Sequence, residues 1–332
     1  MTTMPSDLPD GLQDFLAYTD WSGAAVEPLP GDASFRRYFR LRADGRTAML
    51  MHAPPPQEDP QPFLHVARWL GENGMRAPKI LAQAAAQGWV LTEDFGDDRV
   101  KEWLDAHPSD EKAIYSTAID ALIDLHRLPP GPFEPYDMAV YMREVDLFTE
   151  WYCPAAGLTI DSAGWGQAWR EALEPLLVRQ QPGVTVLRDY HAENIMLLEP
   201  GNPMGAQGLI DFQDTLVGHP AYDIVSLLQD ARRDVSATLE AEMLDRYRLA
   251  AQPDETFDAD YARLGAQRNA KIVGIFTRLA RRDGKPRYLD LIPRVWAAME
   301  RDLRHEALAP VARWFEANVP QDLRDAHGAG LA

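Results

Sequence analysis

Three oxygen-bearing side chains stand at spacings that suit phosphoryl transfer. Asp189 lies in the polar turn Arg188-Asp189-Tyr190-His191-Ala192-Glu193-Asn194, Asn194 follows it by five positions, and Asp211 comes 17 positions after the Asn in Leu209-Ile210-Asp211-Phe212. An Asp that reaches an attacking hydroxyl, with an Asn and a second Asp converging on Mg²⁺, is the side-chain set such a reaction uses. The cation bridges the phosphates of a nucleotide, takes hard oxygen ligands, and neutralises charge as the phosphoryl group moves. Singly these residues are ordinary, because Asp and Asn are frequent in turns. The ordered Asp/Asn/Asp spacing carries the reading, together with the strand-like runs Val184–Leu187 before the turn, Ile195–Leu198 after it and Gly208–Ile210 beyond.

Other elements must hold that turn in place. From about 24 to 52 the chain reads as strand and turn, with Phe35, Tyr38, Phe39 and Leu41, then Ala48 to Met51, punctuated by Gly31-Asp32 and Asp44-Gly45. Phe63, Val66, Ala67 and Leu70 then recur at helical spacing over 61–73, so one helix packs on a twisted antiparallel sheet. Trp89-Val90-Leu91 is a further strand, leading into Glu93-Asp94-Phe95-Gly96-Asp97, where the connection between two lobes falls. Beyond it the pattern is helical. Ser109-Asp110 caps a helix that Pro129-Pro130 closes, and further helices are expected near 138–152, 162–179, 220–231, 236–251, 257–281 and 291–317. The pattern gives an α+β fold in two lobes, a small antiparallel-sheet N-lobe over 1–93 and a mainly helical C-lobe over 94–332; with the Asp/Asn/Asp set it resembles the two-lobed protein-kinase-like fold, and that resemblance implies an N-lobe that covers the nucleotide and a C-lobe that carries the catalytic loop, metal site and acceptor site.

Composition narrows the partners. With 46% hydrophobic and 25% charged residues the 332-residue chain is globular and long enough for two lobes. A net charge of −18 argues against nucleic-acid binding, which needs a positive face. No run reaches the roughly 18 to 20 apolar residues of a membrane span, and Asp7, Asp10 and Asp14 do not suit a signal peptide, so a cytoplasmic protein is expected. One cysteine, Cys153, excludes an intrachain disulfide and a Cys-based metal cluster. The eight histidines lack metal-ligand spacing, and His191 reads as a hydrogen-bond partner that orders its loop. Trp103, Trp151, Trp165 and Trp169 read as core. No protein partner is evident.

The segments together resemble the aminoglycoside phosphotransferase superfamily, whose loop places an Asn five residues after the Asp and whose metal Asp sits in an Ile-Asp-Phe or Ile-Asp-Trp context. Within it, the chain looks like the anomeric N-acetylmuramate/N-acetylglucosamine kinases of cell-wall recycling. Leu187–Asn194, Gln213-Asp214, Gly218-His219-Pro220-Ala221-Tyr222-Asp223, Gly31–Tyr38, Gly274–Leu279 and Arg282-Asp283-Gly284-Lys285 carry that likeness. The resemblance implies that Asp189 deprotonates a sugar hydroxyl, that Asn194 and Asp211 ligate Mg²⁺, and that Asp223 braces the loop, with Arg188 and His191 supporting it. It also implies that Gly31-Asp32-Ala33-Ser34 covers the phosphates of ATP, with Asp32, Ser34, Arg36 and Glu93 on the nucleotide. Where kinases carry a third-strand lysine, this chain has Met49-Leu50-Met51-His52. Arg36, Arg37 or Arg40 is then expected to supply the cation.

Only 12 positions separate Asp211 from Asp223, too few for the activation loop and peptide platform of a regulated protein kinase, so the acceptor is expected to be small. Between Arg263 and Arg287 eight Lys or Arg residues meet a single acid, Asp283. Most should form a solvated face, while one or two basic residues, taken from Arg278 and Arg282 in that run and Arg232 before it, are expected to reach an acceptor that carries a carboxylate. Alternatives at this stage are an aminoglycoside, choline-like or homoserine-like acceptor, or a nucleotide-binding pseudokinase with a regulatory role.

Overall fold

The computed structural model describes residues 8–30, 35–199 and 201–331. It divides into two compact units: one takes the residues up to Asp98 together with 196–201 and 205–214, and the other takes Arg99–Ile195, 202–204 and 215–332.

Alternating side chains build the first unit. Strands β1 (Ala25–Pro28), β2 (Arg37–Ala43), β3 (Arg46–His52), β4 (Ile80–Ala84) and β5 (Trp89–Glu93) pair antiparallel in the order β1-β2-β3-β5-β4. Successive residues of a strand point to opposite faces. Phe39, Leu41, Ala48, Leu50, Trp89 and Leu91 therefore share one buried face, which α1 (Leu12–Leu16) and Trp21 cover. Met51 and Val90 face the other way and pack on Leu64 of α2 (Gln61–Glu72), the helix expected over 61–73. Strand β4 was not expected. Two of its five residues are alanine and a third is glutamine, with half-buried alternation, and such side chains give little strand signal. The later strands β6 (Val184–Val186), β7 (Ile195–Leu197), β8 (Gln207–Leu209) and β9 (Leu216–Gly218) form two small ladders, β6 with β9 and β7 with β8. The returning segment is fastened into the first unit: Leu197 N–H donates to Asp98 O at 2.7 Å, Leu209 N–H to Arg76 O at 2.8 Å, and Phe212 stacks on Phe63 at 5.1 Å.

The second unit is helical. In order come α3 (Val100–Ala106), α4 (Glu111–Arg127), α5 (Met138–Leu147), α6 (Cys153–Ala155), α7 (Ser162–Arg179), α8 (Ala221–Leu228), α9 (Ala237–Ala251), α10 (Phe257–Arg281), α11 (Ile292–Asp302), α12 (Ala309–Asn318) and α13 (Gln321–Asp325). The expected helix over 138–152 ends as α5 at Leu147 and passes through a wide π turn, Phe148–Tyr152, whose rings join Trp165, Trp296 and Phe315 in an aromatic core. The expected helix over 291–317 is two helices, broken at His305–Leu308, because Pro310 lacks an N–H and is tolerated only in a first turn. Helix α10 is buried along most of its length. Gly274 lets it approach α5 closely: a Cβ there would lie 2.3 Å from the carbonyl carbon of Leu147. Trp165 and Trp169 are buried as expected, and Cys153 is buried too. Among the described residues, no helix is long and apolar enough to cross a membrane.

Candidate active site

The turn that carries Asp189 is held by carboxylates at both ends of one helix. Arg188 has φ +71°, a left-handed conformation that costs a non-glycine residue on the order of 1 kcal/mol and persists only where the surroundings impose it. Asp223, in the first turn of α8, imposes it: its carboxylate accepts from Leu187 N–H at 2.6 Å and Arg188 N–H at 2.8 Å. All eight residues of α8 are buried, so this brace is rigid. Just past the other end of α8, Asp230 accepts from Ala192 N–H at 3.2 Å and Arg232 N–H at 2.8 Å. Tyr190 roots the middle of the turn, donating its hydroxyl to the buried Ala118 O at 2.8 Å.

Asn194 ends the turn in a 3₁₀ segment, Ala192–Asn194. Its amide nitrogen donates to Asp189 O at 3.0 Å and faces His191 Nε2 at 3.3 Å, so its oxygen is the end turned away from the loop. Arg232 Nη1 also faces His191 Nε2, at 3.4 Å, while Arg232 Nε pairs with Glu193 at 3.0 Å.

A buried ion cluster lies under the turn. Glu144, on α5, accepts from Tyr136 and Arg188, from Lys271 Nζ at 2.9 Å and from Gln267 Nε2 at 3.1 Å. Lys271 also reaches Tyr222 Oη at 3.3 Å. Burial raises the Glu144 carboxyl, but Lys271 and Arg188 outweigh it and bring it down to about 2. Asp189 is half-buried, and desolvation would raise its pKa; the field of Lys271, His191, Arg268 and Arg188 reverses that and holds it below the usual carboxylate range. The His191 contribution counts only when the ring is protonated, and burial pushes its pKa down to about 4. Asp223 behaves oppositely: burial carries it up to about 7 despite the two backbone N–H groups and Arg268. Of the two carboxyls, Asp189 is the one whose surrounding cations favour the ionised form, while Asp223 is spent on the two backbone N–H groups it braces.

In the first unit, Asp211 follows β8 at φ +58° with its carboxylate exposed, and accepts from Gln213 Nε2 at 2.9 Å. Arg36 pairs with Glu58 at 3.2 Å, and the same carboxylate accepts Phe35 N–H at 3.2 Å. Burial would lower the Arg36 pKa, yet Tyr38, Glu58 and Asp211 keep it raised. Arg40 is committed elsewhere, with Nε 2.8 Å from Asp94 and Nη1 2.9 Å from Asp97, and Arg37 lies over the Phe39 ring at 5.3 Å. Glu93 receives both forks of Arg76, at 2.8 and 2.5 Å. Asp32 and Ser34 lie outside the described residues.

The profile of the family described as "Phosphotransferase enzyme family" matches residues 25–266. The chain belongs to that family. Among its relatives, this phosphotransferase is 35% identical to the N-acetylmuramate/N-acetylglucosamine kinase of Caulobacter vibrioides, over 97% of this chain and 99% of the other. It is 39% identical to the enzyme of that name from Pseudomonas aeruginosa, over 90% and 89%. Its fold matches a choline/ethanolamine kinase family protein from Mesorhizobium loti with a TM-score of 0.62 at 15% identity, covering 92% of this chain and 99% of that one. It also matches ADP-bound aminoglycoside phosphotransferase APH(2'')-Ib with a TM-score of 0.55 at 13% identity, over 83% and 92%. The expected two-part, kinase-like architecture with an antiparallel sheet and a helical remainder is therefore the fold of the phosphotransferase.

The basic stretch on α10 divides. Arg263, Arg268 and Lys271 are largely buried, where Asp260 and Glu144 neutralise two of them, so only the later part forms the expected solvated face. Arg278 is half-buried, and burial together with Arg282 lowers its pKa. Arg282 is exposed and paired with its neighbour Asp283 at 2.6 Å. Of the three arginines expected at the acceptor, Arg232 is the one hydrogen-bonded to the Asp189 turn. Glu144 and Asp230 escaped the sequence reading, and Lys271 entered it only as a member of the basic run. Glu144 did leave a sign: it shares one face of its helix with Tyr141, Val145 and Phe148, all buried, and an acid on an apolar stripe has to find buried cations.

As for Mg²⁺, among the described residues no three His, Cys, Asp or Glu side chains cluster to hold a metal. Singly, the Asn194 amide oxygen, on the side opposite the nitrogen that bonds Asp189 O, and the exposed Asp211 carboxylate are the kind of hard oxygen donor this ion takes.

Proposed function

We propose that this phosphotransferase moves the γ-phosphoryl group of ATP to the anomeric hydroxyl of N-acetylmuramate or N-acetylglucosamine. The single observation that carries the chemistry is the Asp189 turn: a carboxylate kept ionised by Lys271, Arg268 and Arg188, on a backbone clamped by Asp223. Asp189 orients the acceptor hydroxyl and takes its proton as the new oxygen–phosphorus bond forms and the bond to the bridging oxygen of ADP breaks. Asn194 and Asp211 would hold Mg²⁺ through their oxygens, and the ion when bound would offset charge on the phosphates. Arg36 is our choice for the cation that replaces the third-strand lysine, since Arg40 is occupied by Asp94 and Asp97. Asp32, Ser34 and Glu93 complete the nucleotide side of the proposal. A donor drawn from the ATP pool carries a cytoplasmic location with it.

The acceptor class rests on the names of the relatives, both N-acetylmuramate/N-acetylglucosamine kinases. Charge at the turn is balanced, since Glu144 pairs with Lys271 and Arg188 and Glu193 with Arg232. The test is ADP release with N-acetylmuramate, N-acetylglucosamine, choline, homoserine and an aminoglycoside, with product identified by coupling of phosphorus to the anomeric proton. Turnover with the amino sugars is expected. Turnover only with cationic acceptors, or nucleotide binding with no turnover on any acceptor, overturns the assignment.

A further inference from the structure

From 261 to 279 every residue of α10 is buried except Lys271, Ile275 and Arg278. Spaced by four and then three, these form one stripe about 10 Å long on a single side of the helix. The stripe begins at the Asp189 turn, because Lys271 leads the cations whose field falls on Asp189, and its Nζ is bound to Glu144 at 2.9 Å. Ile275 follows with a half-buried apolar surface. Arg278 comes next, and among the described residues its guanidinium has no ion-pair or hydrogen-bond partner, although Nε is sealed from solvent. Arg188, Arg232 and Arg233, also partly buried, are all paired with carboxylates. Two carboxylates lie near enough for their field to reach Arg278: Asp283, which is taken by Arg282 at 2.6 Å, and the exposed Glu150. Burial and Arg282 oppose its charge, so this cation gains from an anion that the chain itself does not supply. Arg268 Nη1 likewise lacks a partner, but that residue is 3% exposed and its field falls on Asp189 and Asp223.

We propose that Arg278 recognises the carboxylate of an N-acetylmuramate acceptor whose sugar ring lies over Ile275 with its anomeric hydroxyl at Asp189, and so sets the preference between the two amino sugars. The inference rests on the kinase reading for the place of the reacting hydroxyl. N-Acetylmuramate differs from N-acetylglucosamine by one lactyl ether, which ends in a carboxylate away from the anomeric carbon. A guanidinium holds such a group through two parallel N–H donors. Arg278→Gln should therefore raise KM for N-acetylmuramate by about 10–100-fold. Its kcat, and KM for N-acetylglucosamine, which offers no carboxylate, should stay within about twofold. Arg278→Lys keeps the charge without the fork and should recover part of the loss. The methyl ester of N-acetylmuramate should show the raised KM already in the wild type and be indifferent to Arg278→Gln. With both sugars phosphorylated by the wild type, three results overturn the proposal: an unchanged N-acetylmuramate KM in Arg278→Gln; an equal rise for both sugars, which would make Arg278 a fold residue or a ligand of groups they share; or a wild type that takes the ester as well as the acid. A wild type that phosphorylates neither sugar would instead defeat the kinase reading, and this inference with it.

Discussion

Replacing Glu144 by Gln keeps the shape of the side chain and removes one buried charge beneath the Asp189 turn. Lys271 and Arg188 hold the carboxyl down to about 2 where 4.5 is ordinary, and at about 1.4 kcal/mol for each pH unit that difference is on the order of 3 kcal/mol of native stability at neutral pH. The figure falls within the roughly 3–5 kcal/mol lost when one partner of a buried ion pair is removed, since Lys271 and Arg188 are left uncompensated. For a helical unit of about 200 residues, that is a fall in melting temperature of about 7–14 °C at pH 7. The sign with pH follows from the depressed native pKa. Between about 4.5 and 2 the unfolded chain binds a proton that the folded chain does not, so stability is present above 4.5 and lost as pH falls towards 2. Glu144→Gln is neutral throughout. The gap between wild type and variant, measured by urea unfolding, should therefore be full at pH 7 and shrink steadily below pH 4.5. A gap that persists unchanged at pH 3 would mean that packing, not charge, accounts for the loss, and no gap at pH 7 would refute the reasoning outright.

The remaining expectations concern the chemistry and one helix crossing. Asp189→Asn should lower kcat by about 10²–10⁴-fold with nucleotide affinity unchanged, and normal turnover would remove the base assignment. Asp211→Asn should weaken Mg²⁺-dependent nucleotide binding by about tenfold or more and spare Mg²⁺-free binding; equal loss in both would make it a fold residue. Gly274→Ala should cost about 1–3 kcal/mol, because the added carbon falls on the Leu147 backbone, which cannot retreat as a side-chain tip can; unchanged urea unfolding would deny the close approach.

What was legible in the sequence was local. The Asp189 turn announces itself because its residues lie within a few positions of each other, and the sheet because Phe39, Leu41, Ala48 and Leu50 keep strict alternation. Strand β4 does not, since Ala82 and Ala84 are too small to mark a face. The cluster under the turn was hidden for another reason. Glu144 meets Arg188 across 44 positions and Lys271 across 127, and neither separation has a spacing rule. Asp223 entered through resemblance, and its physical ground, a carboxylate answering two backbone donors, became visible only with the coordinates. The basic run on α10 misled because linear charge density says nothing about which stretch of a helix is covered.

The discontinuity of the first unit sets a limit on gene-level tinkering. A recombinant fragment ending at Asp98 would expose the carbonyls that Leu197 and Leu209 fill and strip Phe63 of its stacked neighbour Phe212. The sheet portion cannot be swapped between relatives as a cassette cut at one point: a chimaera must exchange two stretches of coding sequence together, and a library built on a single crossover near residue 98 should return insoluble protein.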